Sequence, residues 1–278
     1  MGISQSPPPL LRAVQELATR LWLEASGANR LRTPEAALLL TLGPYRARLA
    51  ISEQDRHAAY SLRFRVFNLE MQEGLERAYH TGEDSDQFDS VCDHLLVEHA
   101  ATRQVVGTYR LQAGTTAARN HGYYSAREFD FRPYEPLRGQ VLELGRACVQ
   151  REHRSFEVLM LLWRGIARYA EGRGLRYLLG CSSLTSQDPR EGSAMYHRLR
   201  PYLVEAELLT MPTASYAFPV DDSAVSCAQP PKLLRSYLAV GAQICGPPAL
   251  DREFGTIDFL TFMDLERLSP AAKARFLR

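Results

Sequence analysis

With 278 residues, 45% of them apolar and 23% charged, the chain can bury one large core, and its composition excludes a collagen-like or disordered protein. A formal net charge of +1 gives no overall field for nucleic acid, although arginine greatly outnumbers lysine. Five scattered cysteines (Cys92, Cys148, Cys181, Cys227, Cys245) form no C-x-x-C pair and have no histidine at zinc spacing, so they read as reduced thiols of a cytosolic protein.

In chain order, Met1 to Ser6 formally fit a myristoylation pattern, which the following Pro7-Pro8-Pro9 argue against. Leu10, Val14, Leu17, Leu21 and Trp22 then line one face of a helix ending near Gly27. That stripe is covered either by the core or by a membrane surface, so peripheral contact with the inner membrane is one expectation for residues 1–44, a helical extension. No stretch approaches the roughly 20 apolar residues of a spanning helix, and the first residues lack the basic-then-apolar layout expected of a signal peptide. The expected location is the cytoplasm.

Residues 45–278 read as one domain. A strand over Tyr45 to Ile51 precedes a helix over Glu53 to Met71, and Gly82 to Asp89 form an acidic loop containing Asp84, Asp86 and Asp89. Strands over Val91–His99 and Gln104–Gln112, joined at Thr102-Arg103, make a hairpin. An aromatic-rich stretch follows, from Tyr123 to Tyr134. Ser155 caps a helix through Tyr169 that Gly172 and Gly174 close, and Leu175–Gly180 is a buried strand. Strand, crossover helix and strand within about 40 residues is the size of a parallel βαβ unit, so the sheet is mixed. Helices over Ser193–Leu199 and Pro231–Val240 and strands over Gln243–Cys245 and Ile257–Asp264 complete the chain.

The most informative segment is V-L-E-L-G-R-A-C-V, Val141 to Val149, where an apolar strand carries Glu143 and Arg146 around Gly145. Buried charges need partners, or a cleft to face. Residues three apart look opposite ways in a regular strand, so a bulge at Gly145 is predicted, turning both onto one side. The competing reading is a structural ion pair. Four histidines, His94, His121, His153 and His197, show no metal spacing, and Ser182-Ser183 lacks a nucleophile elbow.

This layout resembles the GNAT superfamily: a mixed α/β fold with a splayed central sheet flanked by helices. L-R-F-R-V-F (Leu62 to Phe67), D-x-F-D (Asp86 to Asp89), V-V-G-T-Y-R-L (Val105 to Leu111) and E-L-G-R (Glu143 to Arg146) resemble acyl-homoserine-lactone synthases. The stretch P-K-L-L-R-S-Y-L-A-V-G-A-Q-I-C-G-P-P-A-L-D from Pro231, followed by T-I-D-F-L, is similar to the ornithine acyl-ACP N-acyltransferase family, which includes long-chain N-acyl amino acid synthases. The tryptophan that lactone synthases carry after the Arg-Phe motif is absent, which counts against S-adenosylmethionine as substrate.

The resemblance implies a bacterial lipid-biosynthesis enzyme that moves a fatty acyl group from acyl carrier protein (ACP) to an amino acid amine, ornithine first, glycine or another next. Acyl-ACP serves as co-substrate, and no cofactor is bound. Lactone synthesis and a non-catalytic acyl-carrier or lipid-binding module are the alternatives; only a catalyst needs Glu143. An amine attacks only as the free base, so a base is required; burial raises the Glu143 carboxyl and a neighbouring Arg146 lowers it. Main-chain amides at Ala147 or Cys148 suit the oxyanion. The resemblance further implies Tyr196 as thiolate acid, against which stands an ordinary core aromatic. It implies Val149, Arg154, Ser155 and Phe156, with Ala147 and Cys148, as the phosphopantetheine wall. Arg63, Phe67, Asp86, Asp89 and Arg110 become acceptor-side or loop-ordering residues.

The loop R-E-H-R-S-F-E-V (Arg151 to Val158) lacks the glycines that let main-chain amides approach a CoA diphosphate, and Glu157 would repel one. A carrier-protein phosphodiester fits better. Arg151, Arg154, Arg164, Arg168, Arg173 and Arg176 are read either as a positive face for an acidic carrier or as a plain solvated surface.

Overall fold

The computed structural model describes residues 38–225 and 229–276. The expected N-terminal helix and Cys227 lie outside the described residues. Strand β1 (Leu40–Leu42) pairs with β2 (Tyr45–Leu49), so the sheet starts within the stretch read as extension. Helix α1 (Glu53–Phe64) begins at a capping box, in which Ser52 Oγ accepts from the Asp55 amide at 3.1 Å and the Asp55 carboxylate accepts from the Ser52 amide at 3.3 Å. It continues into a π-helical segment, Arg65–Glu70, a local widening frequent at functional sites.

Strands β3 (Asp93–His99), β4 (Val105–Ala113) and β5 (Val141–Val149) continue the antiparallel meander from β2. Every residue of β4 is buried, because both of its faces are covered. Helix α2 (Phe156–Gly172) starts at Ser155 as predicted. It lays Val158, Leu161, Leu162 and Ile166 on Leu95, Val106 and Leu111 of the sheet. It leads to β6 (Tyr177–Leu184), which is parallel to β5 and runs four residues past the expected end at Gly180.

Helix α3 (Pro189–Leu199), helix α4 (Lys232–Ala239) and strands β7 (Gln243–Ile244), β8 (Ala249–Asp251) and β9 (Thr256–Asp264) close the fold, β8 being unanticipated. The sheet order is β1-β2-β3-β4-β5-β6-β9-β7, with β8 also on β9. The second face carries the aromatic stretch, with Tyr123, Phe129, Phe131 and Tyr134 packed on Val141 and Phe262. Among the described residues no helix is long and apolar enough to cross a membrane.

The mixed, splayed sheet has its opening between β5 and β6. These pair only from Val141–Glu143 to Tyr177–Leu179. Beyond that point β5 stays with β4, while β6 stays with β9 through Leu184. At the parting, a Cβ on Gly180 would collide with the Leu144 carbonyl oxygen, so only glycine allows this approach.

Candidate active site

Register shifts between β4 and β5: Arg110 faces Gly145 and Thr108 faces Cys148, leaving Tyr109 opposite both Arg146 and Ala147. The bulge therefore lies one residue beyond Gly145. Arg146 itself adopts the left-handed backbone, with φ of +50°, a conformation costing a residue with a Cβ on the order of 1–3 kcal/mol. The effect is the one the bulge was expected to have. Glu143 and Arg146 both reach the Tyr124 side of the sheet, since the Glu143 carboxylate accepts from the amides of Tyr124 (2.9 Å) and Ser125 (2.8 Å) while the Arg146 guanidinium lies over the Tyr124 ring.

They do not form an ion pair with each other. Glu143 is 4% exposed, and burial pushes its carboxyl above the usual carboxylate range, against the opposing pull of the two amides and of Arg110 rather than Arg146. Arg146 instead pairs with Asp86 (3.1 Å) and Asp84 (3.2 Å).

Those contacts belong to a buried network of three arginines and three aspartates. Arg63, with no exposed surface, grips Asp89 through both terminal nitrogens (2.9 and 2.6 Å) and donates to the Asp84 carbonyl. Arg110 donates to Asp86 at 2.7 Å and lies 3.4 Å from Asp89. Asp86 caps the short helix Gln87–Ser90 reciprocally with Asp89, which ties the acidic loop to the network. Burial pushes Asp86 and Asp89 up, and the neighbouring guanidinium groups overcome it, holding both carboxyls below the ordinary range. Arg63 and Asp89 are thus interior and order the loop, whereas Arg110 and Arg146 also reach the cavity.

A cavity of about 640 Å³ occupies the parting of β5 and β6. Glu143, Gly145, Arg146 and Ser125 line its polar end, and Leu159, Trp163, Ile166, Leu178 and Phe262 supply apolar walls. Ala147, Cys148, Val149, Arg154, Ser155 and Phe67 also line it. The Gln150 amide donates to the Val106 carbonyl (2.8 Å), so alternation along the ladder turns the Cys148 amide toward β4 and those of Ala147 and Val149 toward the gap. Of the two amides considered for an oxyanion, that leaves Ala147.

Two candidates fall elsewhere. Tyr196 does not line the cavity but packs with Met195, Leu199 and Ile257 beneath α3. Phe156 turns to the Met160–Leu268 cluster. The arginines around α2 also differ from an open positive face. Arg151 and Arg154 both reach Glu70 (3.3 and 2.7 Å), Arg168 reaches Glu171 (3.7 Å), Arg173 reaches Asp93 (3.4 Å) and Arg176 reaches Asp264 (2.6 Å).

Other site residues stand outside the motifs. Tyr124 and Ser125 hold Glu143 through main-chain atoms, which no side-chain pattern reveals. Tyr237 of α4 lines the cavity with its hydroxyl against that of Tyr109. Glu73, Asp251 and Asp258 line it as buried acids, with Glu128 behind. Asp258 carries the same signal as Glu143, an acid inside an apolar strand, I-D-F-L.

Residues 62–164 match the family model described as an acetyltransferase (GNAT) domain. The AHL synthase LasI superposes with a TM-score of 0.50 at 12% identity, over 84% of this chain and 94% of that one, a likeness of fold alone. Fold and site together define a GNAT-class protein. An L-ornithine N(alpha)-acyltransferase from Brucella abortus (strain 2308) is 34% identical over 271 residues, covering 89% of this chain and 94% of the relative. One from Agrobacterium fabrum (strain C58 / ATCC 33970) is 32% identical, covering 82% and 83%. The chain belongs to the L-ornithine Nα-acyltransferase family.

Proposed function

We propose that this protein transfers a long acyl chain from the thioester of acyl carrier protein to the α-amine of ornithine, by direct attack and without a covalent enzyme intermediate. The observation that carries the reading is a buried carboxylate, Glu143, lining a cavity between parted strands whose walls along α2 and β6 are largely apolar. Ornithine is the acceptor named for the relatives. One proton leaves the α-ammonium to give the free amine. The second leaves nitrogen as the C–N bond forms, passes to Glu143 directly or through water, and ends on the thiolate as the C–S bond breaks. The Ala147 amide, fixed by the bulge before reaction, donates to the oxyanion.

The donor preference rests on the entrance to α2. Arg151–His153 form a 3-10 turn without glycine, and Glu157 sits in the first turn of the helix, where it repels a diphosphate. Arg154 and Ser155 line the cavity beside it and suit a single phosphodiester. The test is N-acylornithine formation, read by mass spectrometry, with acyl-ACP or acyl-CoA supplied in turn. Turnover with acyl-ACP, with acyl-CoA a poor donor, supports the reading; equal use of both overturns the donor assignment.

A further inference from the structure

Glu73, Asp251 and Asp258 all line the cavity and are 8%, 4% and 5% exposed; Glu128, 1% exposed, stands behind them. The Asp84–Asp86–Asp89 group, equally buried, is matched by three arginines. Among the described residues no lysine or arginine pairs with any of these four acids. Like charges in one dry space oppose each other's ionisation, and such a group is costly unless it stays protonated or a cation joins it.

Two atoms point to the cation. Asp258 Oδ1 and Glu73 Oε1 are buried acceptors without a hydrogen-bond partner, on side chains that line the cavity; the polar neighbours of the two carboxyls are uncharged hydroxyls, Thr185 at Glu73 and Ser183 and Thr256 at Asp258, together with the Glu128 carboxyl. Both oxygens of Glu143, by contrast, are engaged by main-chain amides. Asp251 Oδ1 is spent on the amides of Glu253 (2.9 Å) and Phe254 (3.0 Å), which fixes this carboxylate against the cavity wall. The acidic group also adjoins the reaction centre, since Glu128 touches Cys181 (3.7 Å) on the strand that parts from Glu143.

We infer that Asp258, with Glu73 and Asp251, forms the pocket for the side-chain ammonium of a diamino acid acceptor, selecting ornithine over neutral amino acids. The inference rests on the acyl-transfer reading for the direction in which the acceptor lies, with its α-amine at Glu143 and its side chain toward β8 and β9. Glu128, Cys181 and Asp258 have ligand atoms within 4.8 Å of one another, so a divalent metal is the rival occupant.

Calorimetric titration of the full-length protein with ornithine and with norvaline, which has the same carbon skeleton without the δ-amine, tests this directly. Ornithine should bind at least about tenfold tighter, and Asp258→Asn should remove that preference by weakening ornithine without weakening norvaline. Asp251→Asn, which keeps the oxygen that caps the Glu253–Phe254 turn, serves as a second variant, with circular dichroism confirming that each folds. Equal wild-type affinities, or ornithine binding unchanged in both folded variants, would overturn the inference. So would a divalent ion that co-purifies at one per chain and is required for ornithine binding. A wild type that prefers ornithine in calorimetry yet forms no N-acylornithine from acyl-ACP leaves the ammonium pocket standing and removes the acyl-transfer reading. Equal acylation of ornithine and norvaline does the reverse.

Discussion

Arg63 shows how a single side chain can hold a loop in place. It is wholly buried, and its partners Asp84 and Asp89 are as deep, so removing the guanidinium strands two carboxylates in low dielectric. Arg63→Met should lower stability by about 3–5 kcal/mol in denaturant unfolding, far more than a surface arginine would. The wild type should lose this contribution in acid. Asp89 has a depressed native pKa, so its stabilisation is complete above the unfolded value of about 4 and disappears as pH falls through the native one. Asp258 has the opposite sign. Burial and the nearby acids raise its carboxyl, so stability falls as pH climbs from the ordinary aspartate range toward the raised value. Asp258→Asn should therefore raise Tm by about 2–4 °C at pH 8, with the gain shrinking toward pH 4. Glu143 was legible as an acid within an apolar strand, and Asp258 carries the same signal although only Glu143 was singled out by it. Asp84 was not legible, because its role depends on α1 and β5 converging on one loop.

Among the elements, β5 and β6 matter most for what they do not share. Three residue pairs join them before they part, and Gly180 stands where the Leu144 carbonyl leaves no room for a Cβ. Gly180→Ala should cost about 1–3 kcal/mol and force β6 away from β5, measured as a lower Tm together with loss of acyl transfer; an unchanged Tm would show that the parting tolerates a side chain. The apolar run from Val141 to Val149 made β5 readable to its ends, and the Ser155 cap made the start of α2 readable. The bulge was readable in kind but displaced by one residue. Gly145 stays in register opposite Arg110, and the strained φ falls on Arg146, held by Asp84, Asp86 and Tyr124 from other parts of the chain. For Tyr196 two roles were read, thiolate acid or core aromatic, because its place in a helical motif says nothing of which way α3 faces; α3 turns it toward the Ile257–Phe259 cluster.

For the whole molecule, the sheet brings distant segments to one cavity: the π-helical turn after α1, the bulge of β5, the entrance of α2, helix α4 and the end of β9. Local sequence marks each segment, and only the sheet order places them together. The arginines around α2 illustrate the limit of reading charge from composition, since acids from separate elements neutralise much of what looked like a positive face. The central claim is that buried Glu143 accepts the proton of the attacking amine. The pH dependence of single-turnover acyl transfer from acyl-ACP to ornithine, in the wild type and in Glu143→Gln, tests it most directly. In the wild type the rate should rise with pH about a midpoint above the ordinary glutamate range, and the variant should be roughly 10²–10³-fold slower without that titration. A variant that keeps the wild-type rate and pH profile would contradict the account.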